Sequence, residues 1–439
     1  MNDLVVTDAL NFSHKLLVTE ISDFLISPNR CAKKLRSLID GGAGEIAESL
    51  VPAEDKSKFG IFFTPFEITQ RVTESFKQEA KGRKSFFDPA CGAGNLLLSI
   101  ARVYPIGKDF KSTIDIWSKR FGGMDINSSF VNASIVRIIF LAAIRHGLPN
   151  ISAELLSECV SKFKSFYVGN YLEADAGGEF DCIVANPPYG HTVLEARCDW
   201  SSGKTQMAAV FFEKILQNAK VNQKILAILP DVLRSGSRYE RWRKMIENNT
   251  SLGLIDQYGR FKSDVDVDVF LLKVVSRSKK GSKPIDWISP SRAAALRLSI
   301  HFDVSVGSVV PFRLNGDGEL VRYITTKNCP PGAIVRDFYT VKFKGRKVSP
   351  PFVVVRRTSN PSDTNRLVVS LVGGTQPVAV ENHLLIVKPK TGKKEDCIRL
   401  KKFLLSADAT RQINEKIRCR HLTVTSVRDL DIQKGGFCE

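Results

Sequence analysis

The chain has 439 residues, 43% hydrophobic and 25% charged, enough apolar material for the cores of two or three domains. Nine scattered cysteines with no Cys-x-x-Cys pair fit neither a zinc site nor a disulfide framework, so reduced intracellular thiols and no metal are expected. No signal-peptide pattern opens the chain and no run of 18 apolar residues occurs, which argues against secretion and against a membrane span. The net charge is +18, and +13 of it (27 basic against 14 acidic side chains) falls in residues 281–439, an asymmetry expected of a polyanion-binding protein.

Leu10, Phe12, Leu16, Leu17, Ile21, Phe24 and Leu25 recur at helical spacing, so residues 1–58 are expected to be a short helical segment. From about Phe59 to Ser278, short apolar runs alternate with helical ones. Ser85-Phe86-Phe87 leads into a Gly-rich turn and a helix, and Phe121–Met124 leads to Asp125 and a helix through Ile144. Phe166–Val168 leads to Asn170, and Asp181–Ala185 runs into Asn186-Pro187-Pro188-Tyr189. A helix at Ala208–Ala219 then precedes the run Lys224–Leu229. This alternation predicts an α/β fold, a doubly wound and mainly parallel sheet, over residues 59–280. Lys279–Pro284 has the composition of a linker. Short β-rich runs with one helix near Cys397–Leu405 follow it and predict a basic α+β domain over residues 281–439.

The strand-end loop Asn186-Pro187-Pro188-Tyr189 carries the most chemistry. Open α/β sheets bind ligands at the carboxyl ends of their strands. The two prolines fix φ and donate no N–H, so the carbonyls of Asn186 and Pro187 keep their directions. Asn186 Oδ1 and the Pro187 carbonyl can accept the two hydrogens of an exocyclic amine, and Tyr189 can stack on the base that bears it. Such acceptors localise a lone pair otherwise delocalised into the ring. Taken alone, the four residues also read as a plain Pro-Pro turn. Asp88-Pro89-Ala90-Cys91-Gly92-Ala93-Gly94-Asn95 offers close backbone approach and an acid for a cationic amine, without a phosphate-gripping Gly-x-Gly-x-x-Gly. Asp125 can take ribose hydroxyls, Ile126 can cover an adenine face, and Asn170 with Tyr171 offers an amide partner and an aromatic wall. Gly203-Lys204-Thr205 is not a nucleotide-triphosphate loop, because Cys198 stands where a glycine is required.

These motifs together resemble gamma-class DNA adenine-N6 methyltransferases, the N-6 DNA methylases with a TaqI-like C-terminal specificity domain. The resemblance runs from about Phe59 to the C-terminus. Gly60–Pro65 looks like the family's N-terminal cofactor segment, in which Thr64 would hold the methionine carboxylate of S-adenosylmethionine. Asp88–Gly94 looks like its methionine loop and Asp125 its ribose acid. Asn186–Tyr189 looks like its catalytic loop, and Thr205–Glu213 and Leu226–Leu233 like segments that build the base pocket. Phe261 resembles the second aromatic of the base sandwich, although it also reads as a core phenylalanine. Many members have Asp where this chain has Asn170, which puts weaker cofactor affinity in view. Arg418–Thr423 with Leu430–Ile432 resembles the close of a specificity domain.

The resemblance implies a Rossmann-like, S-adenosylmethionine-dependent enzyme. It methylates the N6 amine of an adenine flipped out of duplex DNA, within a restriction-modification or related system. The expected cofactor set is Thr64, Pro65, Asp88, Ala90, Gly92, Gly94, Asn95, Asp125, Ile126, Asn170 and Tyr171. Asn186, Pro187, Pro188 and Tyr189 are expected to be catalytic, and Tyr189 and Phe261 to stack on the base. Double-stranded DNA is the expected partner, with restriction, if coupled, coming from a separate endonuclease. The expected location is cytoplasmic, on bacterial or phage-type DNA. RNA-adenine and protein-glutamine methyltransferases present the same amine problem, and a non-catalytic DNA-binding specificity module is the remaining alternative.

Overall fold

A computed structural model describes residues 64–148, 151–194, 198–261, 267–277, 284–288, 296–314 and 316–432. The helical reading of residues 1–58, the segment Gly60–Phe63 and most of the Lys279–Pro284 linker lie outside the described residues. The described residues up to Leu233, with Arg238–Ile285, form one compact unit; Arg234–Ser237 and Asp286 onward form a second.

The first unit is built on a seven-stranded sheet of β1 (Phe86–Asp88), β2 (Phe121–Asp125), β3 (Phe166–Val168), β4 (Cys182–Ala185), β7 (Lys224–Pro230), β8 (Thr250–Arg260) and β9 (Asp268–Ser276). The strand order is β3-β2-β1-β4-β7-β9-β8. The first five are mutually parallel, and β9 and β8 close the edge antiparallel. Chain order reverses between β1 and β4, which puts a crevice beyond their carboxyl ends. β4 and β7 read as continuous apolar runs because helices cover both faces of a parallel sheet, and Cys182–Ala185 is wholly buried. The doubly wound α/β fold expected from the sequence is the one observed.

Helix Ser128–Arg145 is long and apolar enough to cross a membrane by length and composition, but 78% of it is buried within this unit. Its cap is Asn127, whose Oδ1 accepts from Ser129 and Phe130 N–H. Residues 191–206 contain a hairpin of β5 (His191–Val193) and β6 (Lys204–Gln206). It is tied at its base by Met207 N–H to Gly190 O at 2.8 Å.

The second unit is the expected mixture of sheets and helices. A five-stranded sheet comprises β10 (Phe302–Val306), β12 (Ile334–Val335), β14 (Phe352–Arg356), β15 (Val369–Val372) and β17 (Leu384–Pro389), in the order β10-β17-β14-β15-β12. A three-stranded sheet holds β11 (Glu319–Ile324), β13 (Tyr339–Phe343) and β16 (Val378–Val380), in the order β13-β11-β16. Side chains alternate along a strand, so β14 serves two cores. Val353 and Val355 pack with Leu400 and Leu404 of helix Lys394–Leu404, while Phe352 and Val354 pack with Ile324, Val378 and Val380. The closing segment noticed in the sequence is structural: Leu422, Leu430 and Ile432 are fully buried in the helical core.

Candidate active site

The Gly-rich turn after β1 is shaped by what cannot fit beside it. Gly94 adopts φ +82°, and a Cβ there would come within 2.8 Å of Ser134 Oγ on the neighbouring helix. Ser134 Oγ donates to Gly92 O at 2.8 Å, holding the turn against that helix. Arg137, one helical turn on and 2% exposed, donates to Ala93 O and, at 2.8 Å, to Asn95 Oδ1. Burial pushes its guanidinium down to about 9. The sequence reading missed Arg137, though a lone arginine amid the apolar run of Ser128–Arg145 was a visible signal.

Two acids stand at neighbouring strand ends. Asp88 is 1% exposed, and Ala90 N–H donates to its Oδ1 at 3.0 Å. No basic side chain is paired with it among the described residues. Burial, with the Asp125 charge adding to it, pushes the Asp88 carboxyl up to about 8. Asp125 accepts from Gly92 N–H through Oδ2 and from Asn127 N–H through Oδ1, both at 3.0 Å. Burial raises it to about 6 against those bonds. Beside it the aliphatic side chain of Ile126 is 74% exposed.

A chain of hydrogen bonds joins this turn to the loop after β4. Asn95 Nδ2 donates to Thr64 O at 3.3 Å, and Asn186 Nδ2 donates to Thr64 Oγ1 at 3.0 Å. The Thr64 hydroxyl, accepting from Asn186, keeps its own hydrogen to give. Pro65 caps helix Phe66–Ser75 and accepts from Thr69 N–H at 3.1 Å. Committing Nδ2 to Thr64 turns Asn186 Oδ1 the other way, toward Tyr189. A cleft of about 310 Å³ meets this site only at Thr64 and Asn95; the rest of its lining includes Phe66, Gln70, Ser99 and Arg102.

Three of the expected site residues are folded into the protein. Tyr189 does not present a free stacking face. It is 7% exposed, its hydroxyl donates to Asn186 Oδ1 at 2.7 Å, and its ring meets Phe261 edge-on at 5.6 Å and 78°. Phe261, 1% exposed, closes that pair instead of standing apart from it. Tyr171 is no open wall: it is 2% exposed and stacked on Phe211 at 5.5 Å, because the helix Met207–Asn218 covers it. Asn170 is exposed at its strand end, with Oδ1 capping Leu172 N–H at 3.1 Å and Nδ2 donating to Glu173 at 2.6 Å. Pro187 is buried, while Asn186 and Pro188 are partly open. The loop tip is therefore reachable, with its stacking residue folded in.

Residues 116–263, about a third of the chain, match the family model described as Eco57I restriction-modification methylase. The chain carries a restriction-modification methylase domain. It is 26% identical over 205 residues to modification methylase CviBIII of Paramecium bursaria Chlorella virus NC1A, covering 45% of each chain. Against type II methyltransferase M.VspI of Vibrio sp. (strain 343) it is 23% identical over 227 residues, covering 50% of this chain and 49% of that one. The chain thus spans about half the length of these curated relatives. Among solved structures, the type IIL restriction-modification enzyme MmeI in complex with DNA overlays with TM-score 0.52 at 12% identity. That overlay covers 88% of this chain and 70% of MmeI, a likeness of fold.

The family model is that of a methylase, and the cofactor of this methylase family is S-adenosylmethionine. The donor set suits it. Asp88 is a buried carboxyl with no basic partner among the described residues, and glycines at 92 and 94 put no side chain at those two positions of the turn. Asp125 lies next to both, with an apolar neighbour at its end.

Proposed function

We propose that this restriction-modification methylase domain transfers a methyl group to the N6 amine of an adenine rotated out of duplex DNA. Bound S-adenosylmethionine supplies an electrophilic methyl on a sulfonium. In this reading Asp88 receives the methionine ammonium and the Thr64 hydroxyl donates to its carboxylate. Asp125 accepts from the ribose hydroxyls, Ile126 covers the adenine ring, and Asn170 Oδ1 accepts from the adenine amine. Pro65, Ala90, Gly92, Gly94 and Asn95 shape the backbone around them. Tyr171 supports this wall from the core side.

One observation supports the reading: Asn186 Nδ2 is bonded to Thr64 Oγ1, which leaves Oδ1 of the same amide, now accepting from the Tyr189 hydroxyl, as the acceptor for a base amine. With the Pro187 carbonyl fixed by its ring, two acceptors draw the amine out of conjugation and aim its lone pair. The nitrogen gains the methyl and sheds a proton to water, so orientation supplies the catalysis and no strong base is needed. Extruding the base costs a few kcal/mol. Stacking on Tyr189 and Phe261 returns about 1–3 kcal/mol per base, once the base has parted the two rings and displaced the Tyr189 hydroxyl from Asn186. Pro188 keeps the tip rigid.

Asn186→Ala tests the assignment. The expected result is unchanged cofactor binding by calorimetry and a loss of at least about a hundredfold in methyl transfer to duplex DNA. Nucleoside analysis of the product should show N6-methyladenine. Transfer near the wild-type rate removes Asn186 from the mechanism. Label appearing instead in cytosine, in RNA alone or in a glutamine-bearing protein overturns the substrate.

A further inference from the structure

β11 and β13 form an antiparallel ribbon at the open edge of the three-stranded sheet, in a register that pairs Leu320 with Lys342 and Arg322 with Thr340. Residues opposite one another across a ladder share a face, so these four side chains stand together. Val321, Val341 and Phe343 turn the other way and pack with Val309, Tyr323 and Ala379. The first face is open: all four residues are exposed, Leu320 at 68%.

The electrostatics of this face are one-sided. Residues 311–347 carry eight basic and three acidic side chains. Two of those acids are already matched off the face, Asp317 with Lys344 at 3.8 Å and Glu319 with Lys347. Arg322 and Lys342 have no carboxylate partner among the described residues. The Arg322 guanidinium lies 5.1 Å from the Phe338 ring centroid, which holds its plane and lowers the entropy lost on binding. Leading into the ribbon, Phe312 is 84% exposed, with Arg313 5.7 Å from its ring. Bare aliphatic and aromatic groups between unmatched cations are unlike an ordinary solvated sheet face. A polyanion with apolar edges between its charges complements them.

We propose that the Leu320–Arg322–Thr340–Lys342 face of this ribbon is a docking surface for duplex DNA. The major groove admits a two-stranded ribbon. There Arg322 and Lys342 reach phosphates or guanine edges, and Leu320 meets a thymine methyl. This rests on the methyltransferase reading above and adds to it the element that carries the substrate.

The test uses the full chain, a fluorescein-labelled mixed-sequence duplex and a salt series read by anisotropy. Arg322→Ala with Lys342→Ala is expected to weaken binding at least about tenfold and to flatten the slope of log affinity on log salt by about 1–2. Binding of S-adenosylmethionine, measured by calorimetry, stays unchanged. The comparison variant is Lys393→Ala with Lys394→Ala, an equal loss of exposed charge in the same unit away from the ribbon. Wild-type-like affinity and slope in the ribbon variant, or an equal loss in the comparison variant, overturns the ribbon alone. A wild-type protein that binds S-adenosylmethionine and no duplex overturns the DNA reading together with the ribbon's part in it.

Discussion

Asp88 sets the pH behaviour of the site. Its carboxyl is pushed up to about 8 by burial, from an ordinary value of 3.8. Between those values the folded state holds a proton that the unfolded state has released, so this group makes stability fall as pH rises across that window. An ammonium arriving beside Asp88 reverses the preference and expels the proton. Cofactor binding at pH 7 is therefore expected to release close to one proton, measurable by calorimetry in buffers of different ionisation enthalpy. Asp88→Asn should abolish that release and weaken binding, while melting at a higher temperature than wild type above about pH 8. A binding enthalpy independent of buffer would sink the assignment of Asp88 to the ammonium. The Tyr189 hydroxyl poses a residue-scale question of its own, since it occupies the Asn186 oxygen that the proposed reaction assigns to the substrate amine. Tyr189→Phe removes one net hydrogen bond and should change transfer by no more than about tenfold, in either direction. Tyr189→Ala also forfeits the stacking. Equal losses in the two variants would assign the contribution to the hydroxyl and not to the ring.

At the level of elements, the turn between β1 and helix Asn95–Ala101 depends on a cation from another helix. Arg137→Met keeps the apolar stem but leaves Ala93 O and Asn95 Oδ1 without this donor. Each buried acceptor left unmade costs about 1–3 kcal/mol. Denaturant unfolding should show a loss of that order, with cofactor affinity falling because the turn loses its brace. Unaltered stability would mean that water replaces the guanidinium. What could be read from sequence follows the same physics. Strands β1, β2, β4 and β7 were legible because a sheet covered on both faces writes unbroken apolar runs. Helices Phe110–Trp117 and Ala153–Lys162 went unread beside the stronger periodicity of Ser128–Arg145. The edge strand β8 alternates half-buried with exposed residues and breaks register at two places, which blurred it. The strand-end positions of Asp88, Asp125 and Asn186 were legible because short motifs fix them. The Tyr189–Phe261 contact was not, since it joins residues 72 apart through packing alone.

For the whole chain, charge and chemistry are segregated along the sequence: of a net +18, +13 lies in residues 281–439. The acids at the candidate cofactor site lie in the first unit, Asp88 buried and Asp125 half-buried. Two kinds of binding should then answer differently to salt. Duplex binding through several phosphate contacts releases counterions, and four contacts suffice for a loss on the order of a hundredfold between 50 and 200 mM salt. Cofactor binding rests on a carboxylate shut away from solvent, where screening over about 8–10 Å has little purchase. Titrating the same preparation with S-adenosylmethionine and with duplex across that range should show the first affinity nearly level and the second falling steeply. Raising salt should then increase KM for DNA while kcat at saturating DNA stays near its low-salt value, because in the proposed reaction Asn186 and Pro187 act after the base has arrived. If kcat falls in parallel with affinity, the cationic segment acts in the chemical step and not only in capture. A level response of both ligands would deny that the basic third of the chain meets a polyanion at all.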